Sequence, residues 1–139
     1  MQQDAKTYSS AAFQWAKALK LLDPSITLVL CGETGFSSWD HTILSECVRW
    51  SPHQLGGSVK SQLIDMVSIH MYTSSNDHVQ NVLAPKAAEQ AIINMASLIN
   101  LCRVENKIPS TLPPQTICFD EWNVWDPIKA PGDKGGEQK

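Results

Sequence analysis

Three short apolar runs, each separated from the next by a stretch of helical periodicity, constrain this chain more than any other feature. Residues 26–31 (ITLVLC), 63–70 (LIDMVSIH) and 115–120 (QTICFD) are too short for buried helices. The first is nearly all apolar, the pattern of a strand covered on both faces as in a parallel sheet. Before it, Tyr8, Ala12, Trp15, Leu19 and Leu22 recur every three or four positions and predict a helix over residues 4–22, with Trp15 as core filling. Asp23 and Pro24 stop that helix, because the residue before a proline avoids helical geometry. A short helix is expected from residue 39 or 40 to residue 50, with Ile43, Leu44, Cys47 and Val48 on one side. A longer one is expected from near Pro85 to about residue 105, through Ala88, Ile92, Met95, Ile99 and Cys102. Strands alternating with helices predict an α/β fold with parallel pairing.

Composition narrows the function classes. A charged fraction of 18% beside a hydrophobic fraction of 42% excludes disorder, collagen-like repeats and coiled coil as the main state. A net charge of −3 without a run of Lys or Arg argues against a nucleic-acid or anionic-membrane surface. No apolar stretch is long enough to span a bilayer. No charged-then-apolar leader follows Met1, and the sequence assigns no compartment, extracellular or cytoplasmic. Cys31, Cys47, Cys102 and Cys118 show neither a CxxC pair nor a metal-type spacing with histidine, and read as buried free thiols. Phosphate-binding, serine-hydrolase, metallopeptidase and calcium-loop motifs are absent, and no metal or organic cofactor is expected. Residues 126–139, rich in glycine, proline and charge, predict a loose tail after a folded segment over residues 1–125.

In parallel α/β architectures ligands meet the loops at the carboxyl ends of the strands. The first run ends in Cys31, Gly32 and Glu33, the second in His70, Met71 and Tyr72, and the third in Asp120, Glu121, Trp122 and Asn123. Acid, imidazole, phenol and amide groups thus gather on one rim. Side chains alternate along a strand, so Asp120 and Glu121 are expected on opposite faces. With Glu121 inward, Ile117 and Phe119 share its face, while Cys118 and Asp120 turn toward the helices. Ser68, His70 and Tyr72 share one face of the second strand. A Tyr or His hydrogen bond to Glu121 would hold a nucleophilic carboxylate in place and ionised. Glu33, between glycines, suits a turn as well as a site, and Trp122 and Trp125 suit packing as well as a site.

The string DEWNVW over residues 120–125 resembles the family 51 α-L-arabinofuranosidases of the glycoside hydrolases. So do, in order, LDPSI over 22–26, Trp39 with Asp40, SIHMY over 68–72, and the tail from Asp126. The resemblance implies a partial (β/α)8 TIM barrel of about three consecutive β/α units, with the runs as strands five to seven. It implies retaining hydrolysis of terminal α-L-arabinofuranosyl residues, with Glu121 as nucleophile, Tyr72 bonded to it, His70 supporting the site and Trp125 lining the substrate pocket. The implied partner is an arabinose-containing oligo- or polysaccharide, and the full-length enzyme is compatible with a homo-oligomer. The family's acid/base glutamate follows an asparagine at the end of strand four, and no Asn-Glu dipeptide occurs here. The expectation is therefore an enzyme segment that carries the attacker and lacks the acid. Another retaining glycosidase on the same barrel, such as a β-xylosidase, and an inert sugar-binding segment are the alternatives.

Overall fold

The structure is a computed structural model that describes residues 4–49, 62–75 and 77–124. Among these the chain runs α1 (Ala5–Leu22), β1 (Val29–Leu30), α2 (Ser38–Cys47), β2 (Met66–Thr73), α3 (His78–Leu83), α4 (Pro85–Glu105) and β3 (Thr116–Val124). The strands pair in parallel in the order β1-β2-β3. This is the α/β arrangement expected from the alternation of runs. The expected tail over 126–139, together with Trp50 and Trp125, lies outside the described residues.

Local chemistry sets the helix ends. Asp4 caps α1 by accepting the Thr7 N–H at 2.9 Å, and Asp23, held in extended geometry before Pro24, closes it. Ser37 and Asp40 form a reciprocal capping box at the start of α2. Pro85 opens α4, where its missing N–H costs nothing. At the other end Lys107 takes a left-handed φ of 53°, while Ile108 N–H bonds to Arg103 O and Lys107 N–H to Val104 O. This six-to-one and five-to-two pair satisfies the last carbonyls of α4. α3 was not expected from the sequence; Asp77 caps it through the Val79 N–H.

β1 is shorter than residues 26–31 predict. Several of the flanking backbone groups are taken by side chains, although Leu28 O still accepts the Met66 N–H of β2 at 3.1 Å. Lys20 Nζ donates to Ile26 O, and Leu28 N–H donates to Asp65 Oδ2 at 2.8 Å. Past the strand, Cys31 N–H donates to Tyr8 Oη at 2.9 Å, and Trp39 Nε1 donates to Cys31 O at 3.1 Å. β2 and β3 run further toward their carboxyl ends than expected, to Thr73 and Val124, so Tyr72 and Glu121 stand on strands.

The core lies between one face of the sheet and the helices. Leu30, Val67 and Ile69 meet Ile43 and Leu44 of α2 and Met95 and Ile99 of α4 there. α1 corrects the expected stripe: Trp15 is 68% exposed and Leu22 85%, whereas Ser9, Ala16 and Lys20 are buried. The reason is Asp65, at the foot of β2. Its Oδ2 accepts Lys20 Nζ at 2.8 Å, so α1 turns Lys20 inward and leaves Trp15 outside, while Tyr8, Ala12 and Phe13 still pack against the core. A lysine this buried is tolerated because its ammonium is paired and hydrogen-bonded. No described helix is long and apolar enough to cross a membrane.

Candidate active site at the carboxyl ends of the strands

The register of β3 against β2 carries the principal structural finding. Ile117, Cys118 and Phe119 lie opposite Val67, Ser68 and Ile69, but His70 lies opposite Glu121, so Asp120 is an extra residue. A bulge of this kind shifts the alternation by one position. The expectation that Asp120 and Glu121 face apart is therefore overturned. Asp120 Oδ1 lies 3.1 Å from His70 Nε2, and Tyr72 Oη donates to Glu121 Oε2 at 3.1 Å. His70 and Tyr72 share one face of β2, so both carboxylates reach that face. The companions of Glu121 are also corrected. Cys118 pairs with Ser68 on the polar face, while Ile117 and Phe119 pack against the core.

The site thus brings together three of the four residues singled out from the sequence: Glu121, Tyr72 and His70. Trp125 lies outside the described residues. The Tyr72 phenol is held above its ordinary pKa, chiefly because it donates to the Glu121 carboxylate, so it stays a donor across the neutral range. Buried Ser68 places its Oγ 3.1 Å from His70 Nε2 and accepts the Gly32 N–H at 3.3 Å. Burial, partly offset by Ser68, raises the Cys31 thiol, and the carboxylates of Asp120 and Glu121 add to it. The ends of β1, β2 and β3 therefore share one electrostatic environment. Cys31 is exposed, against the expectation of a buried thiol, while Cys47 and Cys102 are buried.

The loop after β1 is fixed by close contact and by one buried acid. A Cβ on Gly32 would stand 2.1 Å from Ser68 O, so only glycine fits beside β2. Asp40, fully buried in the first turn of α2, accepts N–H bonds from Glu33 at 2.7 Å, Gly35 at 2.9 Å and Ser37 at 3.1 Å. The carbonyl of Glu33 then accepts the His70 N–H at 2.7 Å. Glu33 acts here through its backbone, and its side chain is exposed. Asp40 and Asp120 are the residues that the sequence did not single out as site-forming. A capping-box pattern at Ser37 and Asp40 was available for the first; nothing local signals the bulge that places the second.

Opposite the polar face, Met71, Phe119, Trp122 and Val124 line an apolar cavity of about 220 Å³ against Pro85 and Ala88 of α4. No acid or imidazole lines it, and Trp122 borders it while remaining 73% exposed. Among the described residues, His41, Cys102 and Glu105 bring one nitrogen, sulfur and oxygen atom within 4.8 Å of one another between α2 and α4. These donor types suit zinc. Burial raises the Cys102 pKa, however, so an ion would have to displace the thiol proton.

The chain is 54% identical over 137 residues to a probable α-L-arabinofuranosidase C of Aspergillus niger, a match that covers 99% of this chain and 27% of that protein. It is 53% identical, over the same shares, to α-L-arabinofuranosidase C of Emericella nidulans. The chain thus spans about a quarter of the length of these relatives. Its fold matches the family 51 α-L-arabinofuranosidase AbfB of Bifidobacterium longum with a TM-score of 0.65 at 22% identity, over 88% of this chain and 23% of that one. No protein-family model matches the chain.

Proposed function

Because the chain matches fungal α-L-arabinofuranosidases in sequence and a family 51 enzyme in fold, we propose that it is the nucleophile-bearing segment of a retaining α-L-arabinofuranosidase. Its three strands are then the fifth to seventh of a (β/α)8 barrel. The unreversed order β1-β2-β3 suits a stretch of such a barrel, in which each strand lies beside its successor. The observation that carries the reading is the Tyr72–Glu121 hydrogen bond across adjacent strand ends. It gives one carboxylate a fixed donor on the face that also holds His70.

In this mechanism Glu121 Oε1 or Oε2 attacks the anomeric carbon of a terminal arabinofuranosyl unit. A glutamate outside this chain protonates the departing oxygen. The same glutamate then deprotonates the water that releases the sugar from Glu121. Two inversions restore the configuration, and the two carboxyls must stand roughly 5 to 5.5 Å apart. Tyr72 steers the Glu121 carboxylate, His70 meets the sugar and Trp125 lines its pocket. The substrate is an arabinan- or arabinoxylan-type side chain. On this reading the acid/base is supplied from outside the chain, and among the described residues the sheet is open, with β1 and β3 as its edges.

The test is hydrolysis by the full-length enzyme, followed by NMR of the first-formed anomer. Aryl α-L-arabinofuranoside should be cleaved with retention. An inverted product would overturn the assignment of Glu121 as nucleophile, and preference for aryl β-D-xyloside would assign the site to a β-xylosidase. Tyr72→Phe is expected to lower kcat by about 10- to 100-fold, the worth of a hydrogen bond to a charged group. Steady-state kinetics on the same aryl arabinofuranoside check it; kcat within twofold of the parent would remove Tyr72 from the mechanism.

A further inference from the structure

We propose that Asp120 is a positioning residue of this site, set by the β-bulge to hold His70 in one tautomer and one orientation. The inference rests on the function proposed above and extends it to a residue that strand alternation assigns to the opposite face. The register skips Asp120, so its side chain is free of the cross-strand pairing that governs its neighbours. Its Oδ1 stands 3.1 Å from His70 Nε2. Were that nitrogen unprotonated, its lone pair would face a carboxylate lone pair at hydrogen-bond distance. Nε2 therefore carries the hydrogen, and in the neutral ring Nδ1 is left as the acceptor.

Three further contacts restrict the imidazole. Ser68 Oγ lies 3.1 Å from the same Nε2 and is itself held by the Gly32 N–H. The backbone N–H of His70 is bonded to Glu33 O. Ser68 and the Glu33 loop fix where the ring is, and the Asp120 carboxylate decides which nitrogen bears the hydrogen. The two adjacent acids divide the labour, Glu121 engaging Tyr72 and Asp120 engaging His70. Without the bulge, Asp120 would point at the helices and His70 would lose its charged partner. An exposed His–Asp contact without this role would contribute little, as surface ion pairs generally do. The kinetic consequence separates the two cases.

The experiment uses the full-length enzyme and an aryl α-L-arabinofuranoside. Asp120→Asn, Asp120→Glu, His70→Ala, the double variant Asp120→Asn with His70→Ala, and Glu121→Gln are compared, with thermal midpoints measured alongside. Asp120→Asn is expected to lower kcat/KM by about 10- to 100-fold with its midpoint retained. Asp120→Glu, which keeps a carboxylate in reach of Nε2, should recover most of that loss. In the His70→Ala background the Asp120→Asn change should have almost no further effect, because the two residues act as one unit. An Asp120→Asn enzyme within twofold of the parent would overturn the proposal, and so would a loss as large without His70 as with it. If Glu121→Gln is inactive, either result removes the role of Asp120 alone. Full turnover by Glu121→Gln would instead overturn the nucleophile reading and this inference with it.

Discussion

Glu121→Gln in the full-length enzyme should reduce kcat on an aryl α-L-arabinofuranoside by about four orders of magnitude or more, as loss of a covalent nucleophile typically does. At about 1.4 kcal/mol per tenfold, that is about 5.5 kcal/mol or more of lost transition-state stabilisation. Glutamine is nearly isosteric with glutamate. Its carbonyl oxygen can still accept the Tyr72 Oη bond seen at 3.1 Å, so the strand end should keep its shape. What disappears is the negative charge able to form a bond to the anomeric carbon. Asp120 reaches the same face but is engaged with His70, so it is not expected to take over the attack. The decisive comparison is kcat beside the thermal midpoint. A kcat within tenfold of the parent would show that some other group attacks the sugar, whereas a large loss with an unchanged midpoint isolates the chemistry.

Asp40→Ala should produce the largest loss of stability among single substitutions near the site, about 4 kcal/mol. The Asp40 side chain is fully buried and accepts bonds from three backbone N–H groups and from Ser37 Oγ. Removing it deletes half of the α2 capping box, a loss of about 1 kcal/mol. It also leaves the buried Gly35 N–H and the partly buried Glu33 N–H unpaired, at about 1–3 kcal/mol each. Asp40→Asn should recover only part of this. Both carboxylate oxygens face N–H donors, so an amide nitrogen on either side would oppose another donor. Urea unfolding of the full-length enzyme would measure the difference. A midpoint unchanged in Asp40→Ala would show that water or neighbouring backbone satisfies these groups. The effect should reach catalysis too, because the loop held by Asp40 presents Glu33 O to the His70 N–H.

Much of the fold was legible because it follows from local pattern. Pro85 marked the start of α4, Pro24 closed α1, and three apolar runs gave three strands in a parallel sheet. The face of α1 was not legible. Its apolar residues fall on a helical stripe, yet Lys20 is drawn inward by Asp65, 45 positions away, and leaves Trp15 outside. The length of β1 was not legible either. Ile26, Leu28 and Cys31 give backbone bonds to or take them from Lys20, Asp65, Tyr8 and Trp39, and these partners come from other elements.

The candidate site divides in the same way. Sequence alone determined that polar and acidic groups stand at the ends of three apolar strands, and that Glu121 lies close in pattern to a His-x-Tyr on the preceding strand. Those facts depend only on order and periodicity along the chain. Which faces the side chains take depends on how β3 registers against β2, a relation between residues some 50 positions apart. One extra residue in that register moves Glu121 from the side of Phe119 to the side of Cys118 and brings Asp120 with it. Tertiary structure alone decided this, because a bulge is a mismatch between two strands and neither strand's own sequence spacing contains it.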